Sequence, residues 1–495
     1  MGKKVLAAKS GRAACSCAAA GGGGCSVGVF NAEKQSNREA KSFSTGLTRF
    51  TGLGENLDNS VNPVKTKPSG IPWIGDVPEG WEVRRLKYVA SCNDDSLAED
   101  TPSNFSFDYV DVGSVKYGLG IVQREPMVFA DAPSRARRVV RKDDVIVSTV
   151  RTYLKSVAQI PSFNKPIIVS TGFAVLRAKN SDVIFLNYAL QSQSFVDEVE
   201  ARSTGISYPA INASDLVSIK ILLPPLPVQR AIAAYLDEKC GAIDEAIVEA
   251  KKGIEEYKAW KTSLIDDVVC NGIVRHRHRK ETGEVWLADI PIEWDFVQIR
   301  YLFALRDERN DKPLKDVNLI SLYTDKGVVQ HADLEKTTGN KASTADGYKL
   351  VYENDIVVNI ILCWMGAVGR SAYNGVTSPA YDVYRPIDPT KVLSRYYHYL
   401  FRTPRFNGKC YEEGRGIMMM RWRTYSSEFR AIKVPVPPFE EQQAIADYLD
   451  EKCAAIDAMV AEKEALIADL EAYKKSLIYE TVTGKREVAS NSMVK

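Results

Sequence analysis

The sequence predicts an α+β protein: two mixed α/β domains joined by two long antiparallel coiled-coil helices with pseudo-two-fold symmetry. Three observations predict it. The string Tyr-Leu-Asp-Glu-Lys-Cys stands at 235–240 and again at 448–453, an offset of 213 residues. Each copy lies in a proline-free stretch with apolar residues at three- and four-residue steps, the pattern of a helix with one buried face. Each stretch follows a segment rich in β-branched residues and broken by Gly, Pro, Asn and Asp, the pattern of short strands.

The repeat reaches well beyond six residues. Between 229–265 and 442–478, 20 of 37 positions agree, including Gln229 with Gln442 and Ala242-Ile243-Asp244 with Ala455-Ile456-Asp457. Trp73, Asp76, Pro78 and Trp81 fall on Trp286, Asp289, Pro291 and Trp294 at the same offset, and Pro224-Pro225 falls on Pro437-Pro438. Between these anchors the copies diverge. The chain therefore divides into an N-terminal extension (1–67), a first α/β domain (68–223), a linker and helix (224–285), a second α/β domain (286–436), a second linker and helix (437–488) and a tail (489–495).

The helices are expected over 229–268 and 442–481, each just after a proline-rich breaker (ILLPPLPVQ and VPVPPFEEQ). Their apolar stripes run through Leu236, Ile243, Ile247, Ala250, Ile254, Tyr257, Leu264 and Val268, and through Leu449, Ile456, Val460, Ile467, Leu470 and Leu477. Lys261, Lys463 and Lys474 interrupt a strict heptad. A 40-residue helix is about 60 Å long. Neither can bury its stripe alone, so the two are expected to pack on each other, antiparallel as a closed tandem repeat requires. In the variable middles, strands are expected at Phe107–Val112, Asp144–Val150, Ile167–Val175, Asn318–Leu322 and Asp355–Ile361, and helices at Val183–Gln193 and Ser394–Phe401.

Composition excludes several classes. A hydrophobic fraction of 45% and a charged fraction of 26% are those of an ordinary globular chain. Net charge is only +2, so any nucleic-acid surface has to come from segregated charge. The nine cysteines form no CxxC pair and read as reduced thiols of a cytoplasmic protein. No run of 18 apolar residues occurs, so no membrane partner is expected. In the Ala/Gly/Cys/Ser-rich head, Lys9 and Arg12 break any signal-peptide core. The head reads as a disordered extension or an over-long start.

Catalytic motifs are missing. The Gly-Lys pairs at 2–3, 408–409 and 484–485 are not followed by Ser or Thr, so no phosphate-cradling loop exists. Val436-Pro437-Pro438-Phe439 lacks the amide or carboxylate that an amino-methyltransferase loop would carry, and it aligns with Leu223-Pro224-Pro225-Leu226 as a linker. His276 and His278, in RHRHRK, have no thiol or carboxylate at ligand spacing and read as a solvated basic loop, with no metal. Asp237-Glu238-Lys239 and its copy occupy consecutive helical positions that do not converge, so they read as a charged helix face.

What remains is a set of basic and aromatic loops. Arginine clamps phosphate or reads guanine bidentately, and aromatic side chains stack, so such loops suit DNA. In the first domain the candidates are Ser134, Arg135, Arg137 and Arg138, then Arg151, Tyr153 and Lys155 after a strand, and Ser207 and Tyr208 in the turn-rich loop STGISYPAIN. In the second they are Trp364 and Arg370, then Arg415, Arg421, Trp422 and Arg423, standing where STGISYPAIN stands in the first. On the constant segments, Gln229, Tyr235, Leu236 and Ile243, with Gln442, Tyr448, Leu449 and Ile456, are expected to form the spacer and subunit interface.

These strings resemble the specificity subunit of type I restriction-modification systems across essentially all of 70–488. The carriers are PSGIPWIGDVPEGWEVRRL, the PPL/PPF-x-x-Q linkers, the AYLDEKC/DYLDEKC helices and WMGAVGRSAYNGVTSPAYDVY. The resemblance implies that each α/β domain is a target-recognition domain for one half of a split double-stranded DNA site. It implies that the helices space the two halves and dock two methyltransferase subunits, which restriction (motor-nuclease) subunits join. It also implies a chain without catalysis or cofactor of its own, S-adenosylmethionine, ATP and magnesium belonging to the partners. The extension 1–67 has no counterpart in the pattern.

Overall fold

The computed structural model describes residues 65–71, 74–333, 344–416 and 422–488. Thr66–Pro68 pairs antiparallel with Asp76–Pro78, and this hairpin belongs to a small unit of its own. The boundary expected at Lys67 therefore falls inside a strand, and the rest of the extension lies outside the described residues.

The remaining unit, from Gly80 onward, repeats one topology twice. In the first α/β domain a four-stranded antiparallel sheet runs in the order Ala90–Cys92, Phe173–Ala178, Val145–Ser148, Val157–Gln159. In the second the order is Phe303–Arg306, Tyr381–Pro386, Ile356–Asn359, Val368–Arg370. The domains differ in what accompanies this sheet. The first adds a second four-stranded sheet in which Ile167–Ser170 pairs parallel with Ser106–Val110. The second has, among the described residues, the two-stranded pairs Ile320–Tyr323 with Gly327–Gln330 and Lys349–Val351 with Gly375–Thr377.

The single strand expected at Ile167–Val175 is two strands, one in each sheet, broken at Thr171-Gly172. A side chain at Gly172 would run into Val150 and Val112, so only glycine lets the chain cross between the sheets there. The helix expected to Gln193 stops at Gln191. Ser192 turns extended with its hydroxyl on the Ala189 carbonyl (2.7 Å), and a second helix, Gln193–Arg202, begins. Each domain is closed by a ribbon joining its opening and exit segments: Glu82–Arg85 pairs with Lys220–Leu223, and Asp295–Gln298 with Lys433–Val436.

The two long helices span Leu226–Asn271 and Phe439–Val482. Each starts directly after the Pro-Pro breaker, and the first ends at Gly272, whose φ of 76° no other residue adopts cheaply. They are antiparallel: Lys261 meets Asp457 and Lys474 meets Asp244, both at 2.7 Å. The 213-residue offset carries the first pair onto the second, which is the signature of a pseudo-two-fold axis crossing the helices midway. Leu236, Ile243, Ile247, Ala250, Ile254 and Leu264 are buried, as are Leu449, Ile456, Leu470 and Leu477. The lysines that interrupt the heptad are thus accommodated. Lys261 and Lys474 reach across to aspartates, and Lys463 lies beside Gly253 with its ammonium over the Tyr257 ring (5.6 Å).

The glutamines shared by the two copies lock each domain to its helix. Gln229 accepts from the Asp182 N–H (2.9 Å) and donates to the Pro224 carbonyl (2.7 Å). Gln442 accepts from the Leu393 N–H and donates to the Lys391 and Pro437 carbonyls (2.8–2.9 Å). Both are buried, and Leu236, Ile243, Leu449 and Ile456 are buried with them. These residues therefore bind the chain to itself and present no face to another subunit; Tyr235 and Tyr448 are half-buried.

The domains sit at opposite ends of the helix pair. The first bonds through Tyr188 to Asp237 (2.9 Å) and through the Gly118 carbonyl to Lys474 (3.2 Å). The second bonds through Tyr396 to the Val269 carbonyl (2.8 Å), through Arg405 to Asp266 (2.7 Å) and through Arg395 to Asp447 (2.9 Å). The RHRHRK segment is largely exposed, as expected of a basic loop, but its arginines are paired. Arg275 pairs with Asp267, Arg277 with Glu441 and Arg279 with Asp289, each partner lying on the long helices or the adjoining hairpin.

Candidate nucleic-acid interface

In each domain one surface is built from the same two pieces. The strand Val145–Ser148 runs into a short 3-10 turn, Thr152–Leu154, and the strand Ile356–Asn359 runs into Cys363–Met365. Against that turn lies a hairpin loop, 204–210 in the first domain and 415–423 in the second, each closed by reciprocal backbone hydrogen bonds. The attachment is the same in both: Ile211 N–H donates to the Thr149 carbonyl, and Thr424 N–H to the Ile360 carbonyl, each at 2.9 Å.

In the first domain this brings Arg151, Tyr153, Ser207 and Tyr208 onto one exposed surface. Arg151 adopts a left-handed backbone (φ 52°) at the start of the turn, and its guanidinium lies 5.2 Å from the centre of the Tyr208 ring. Thr152 ties the two pieces together from beneath, its hydroxyl donating to Ser203 (2.8 Å). Lys155 is turned away toward the helix Gln193–Arg202, where Glu200 and Asp197 stand 3.8 and 3.9 Å off. It belongs to the scaffold, not to the exposed set.

The run Ser134–Arg138 is not one loop of three free guanidiniums. Ala136–Val139 is a strand, so Arg137 and Arg138 point to opposite faces of the sheet. Arg137 covers the Phe129 ring (4.9 Å), and the Nε of Arg138 is buried without a hydrogen-bond partner. Ser134 and Arg135 are exposed. Arg135 pairs with Asp111 (3.0 Å), and its carbonyl accepts from Thr171 N–H while Gly172 accepts from Thr149 N–H, both at 2.8 Å. That turn joins Arg135 to the end of the sheet from which Arg151 projects.

In the second domain Arg415 and Arg423 face each other across the loop and are exposed. Arg415 pairs with Glu428 (2.8 Å). Trp422 stacks on Tyr411 with ring centres 4.9 Å apart and donates to the Tyr411 carbonyl (2.9 Å). Trp364 packs on the same ring at 5.5 Å and donates to the Ile361 carbonyl, so it braces the loop from within. Arg421 lies outside the described residues. Arg370 is at the far end of its strand, opposite Ile356, bonded to Asn354 (2.7 Å) with Glu353 near it, and the structure does not bring it to this surface.

Sequence reasoning passed over Ile206, which stands fully exposed at the tip of the first loop, because it searched for basic, aromatic and hydroxyl side chains. It also could not sort the buried arginines. Arg177 on Asp144 and Arg306 on Asp355 are scaffold pairs, each aspartate 2% exposed. Partial burial, with Arg402 and Arg370 beside it, pushes the His398 imidazole down to about 3, so this histidine is a neutral acceptor for the Arg370 N–H (3.1 Å). Among the described residues no group of three or more His, Cys, Asp or Glu could hold a metal ion, and no helix is long and apolar enough to cross a membrane. The helices Leu226–Asn271 and Phe439–Val482 carry −3 and −7, so the other residues sum to +12, of which 1–67 carries +6, 68–225 carries −1 and 272–438 carries +5.

Comparison with known proteins agrees with this architecture. The family described as type I restriction modification DNA specificity domain matches twice, at residues 78–252 and 291–467. Two chains of Methanocaldococcus jannaschii are similar over most of their length. The one named as the MjaX type I restriction enzyme specificity subunit is 23% identical over 446 residues, covering 84% of this chain and 96% of its own. The MjaVIII specificity subunit is 22% identical over 447 residues, covering 83% and 94%. A chain solved in work on complex assembly and conformational transition of the type I R-M system shares the fold, with a TM-score of 0.64 at 21% identity, covering 83% of this chain and 99% of that one. With two matches that coincide with its two structural repeats, the chain belongs to the family of type I restriction-modification DNA specificity subunits.

Proposed function

We propose that this chain reads a split double-stranded DNA site, one half with each α/β domain, and carries two methyltransferase subunits and the restriction (motor-nuclease) subunits that act on that DNA. The frame supports this reading. Two equivalent loop surfaces with different side chains are anchored at opposite ends of one symmetric helix pair. From Leu236, beside the first domain, to Leu264, beside the second, is 28 residues of helix, or about 42 Å. One turn of DNA takes roughly 34–36 Å, so the spacing suits half-sites somewhat more than one turn apart. The second domain with its flanking linkers (272–438) carries a net +5, whereas the first (68–225) carries −1, so there any phosphate contact falls to individual side chains such as Arg151. In this reading S-adenosylmethionine, ATP and magnesium are used by the partner subunits.

Enrichment from random DNA pools at several salt concentrations tests it: a bipartite motif with steeply salt-dependent affinity is expected. Exchanging residues 101–215 for those of a relative should change one half of the motif only. Inserting four residues, about one helical turn, near Ala250 should change the spacer and leave both halves intact. Methyl transfer or cleavage by the chain alone would point instead to an enzyme.

A further inference from the structure

We infer that Ile206 reads the 5-methyl group of a thymine in the major groove. The inference rests on the DNA reading proposed above and adds the chemistry of one contact. Ile206 has a relative exposure of 103%, so it packs against nothing in the chain. Yet it is not on a loose end. Thr204 and Ala210 exchange two backbone hydrogen bonds of 2.9 Å beneath it, Thr152 N–H reaches the Pro209 carbonyl, and Ile211 N–H reaches the Thr149 carbonyl. Gly205, at φ +107°, makes the turn that lifts the isoleucine out.

A lone exposed apolar side chain is ordinary on a protein surface. Here Tyr208 (66% exposed), Tyr153 (51%) and Val150 (36%) belong to the same two interlocked loops. The tip, Thr204–Ala210, holds no amide, carboxylate or guanidinium. Bidentate reading of adenine needs an amide and of guanine an arginine or lysine, so the tip cannot discriminate that way. Of the four bases only thymine offers a methyl group in the major groove, and an apolar side chain recognises it. Arg151, held over the Tyr208 ring, supplies the neighbouring positive charge for phosphate. In sequence the second loop also opens with Gly416-Ile417, whose tip lies outside the described residues, so the inference is confined to the first domain.

The test uses the full chain and the duplex it enriches from a random pool. Each thymine of the motif is replaced singly by deoxyuridine, which lacks only the methyl group. One such replacement should weaken binding about fourfold, the worth of one buried methyl group. Ile206→Ala should weaken binding to the thymine duplex by a similar factor and abolish the preference for thymine over deoxyuridine at that position. Its unfolding midpoint should stay at the wild-type value, because the side chain supports no core. Ile206→Val should retain the preference. Discrimination that survives in Ile206→Ala, or indifference to every deoxyuridine replacement, overturns the inference while leaving the DNA reading intact. Enrichment of no duplex at all overturns the DNA reading itself.

Discussion

The two halves of this molecule share a frame and differ in what they hold out from it. Opening segment, ribbon and long helix recur at an offset of 213, while the sheet strands Val145–Ser148 and Ile356–Asn359 and the first helices of the domains stand 211 apart. The two residues return inside the surface loop, since 415–423 is two residues longer than 204–210. Even the scaffold is not copied side chain by side chain. Asp144 and Asp355 occupy the same place, accepting from Arg141 N–H and Tyr352 N–H (2.8 and 2.9 Å). The arginine that neutralises each comes from a different strand, Arg177 on Phe173–Ala178 and Arg306 on Phe303–Arg306. A buried carboxylate must be paired, but the fold does not care from which side. Residues fixed in both copies are those that geometry cannot relocate, the helix lock and the helix seam.

The sharpest way to break this comparison is through the locks. Gln442 makes three hydrogen bonds in a fully buried site and Gln229 makes two, so removing either leaves backbone groups unpaired. Each orphaned group costs about 1–3 kcal/mol. Gln442→Ala should therefore destabilise its domain by about 3 kcal/mol and Gln229→Ala by about 2 kcal/mol. Denaturant unfolding followed by limited proteolysis of each domain would read both. Equal, negligible losses would mean that the glutamines are not what joins domain to helix.

The ease of reading this chain from sequence follows the same division. The helices were expected at 229–268 and 442–481 and extend about three residues beyond at the first turn, because periodicity locates a buried stripe but not the capping turn. The repeat was legible since an offset survives divergence. The surface was only half legible. Arg135 and Arg151 do face outward, but Lys155 is captured by acids more than 40 residues away in sequence. Arg137 and Arg138 look like one basic patch until strand alternation separates them. Whether an arginine is free depends on partners that folding supplies, and no local string reveals them.

A second, smaller difference is one of protonation. Position 398 is histidine in the second domain, while its counterpart in the first, 211 residues earlier, is Asn187. Folding pushes His398 down to about 3, through burial first and then Arg402 and Arg370. An unfolded histidine takes up its proton near pH 6.5. Below that pH the unfolded state binds more protons, so the second domain should lose stability as pH falls from about 6.5 toward 3. Between pH 7.5 and 5.5 the loss should be about 1 kcal/mol, and His398→Asn, which imitates the first domain, should remove it. Unfolding midpoints of the two proteins at both pH values decide the matter. A slope that persists in His398→Asn would assign the effect elsewhere.

The finest difference lies in the twin ion pairs across the helix seam. Lys261–Asp457 and Lys474–Asp244 are related by the repeat, share a 2.7 Å separation, and would be equal if the frame were perfectly symmetric. They are not equally enclosed. The Lys474 side chain is 13% exposed against 29% for Lys261, because the Gly118 carbonyl of the first domain closes over it and accepts a further hydrogen bond at 3.2 Å. Exposed pairs contribute about 0.2–1 kcal/mol. Lys261→Ala should therefore cost no more than about 0.5 kcal/mol, and Lys474→Ala about 1 kcal/mol, the excess being the bond to Gly118. Double-mutant cycles with Asp457→Ala and Asp244→Ala separate the ion pairs from that bond. If the two coupling energies match while the single-mutant losses differ, the asymmetry comes from the first domain alone and the helix pair itself remains a symmetric frame.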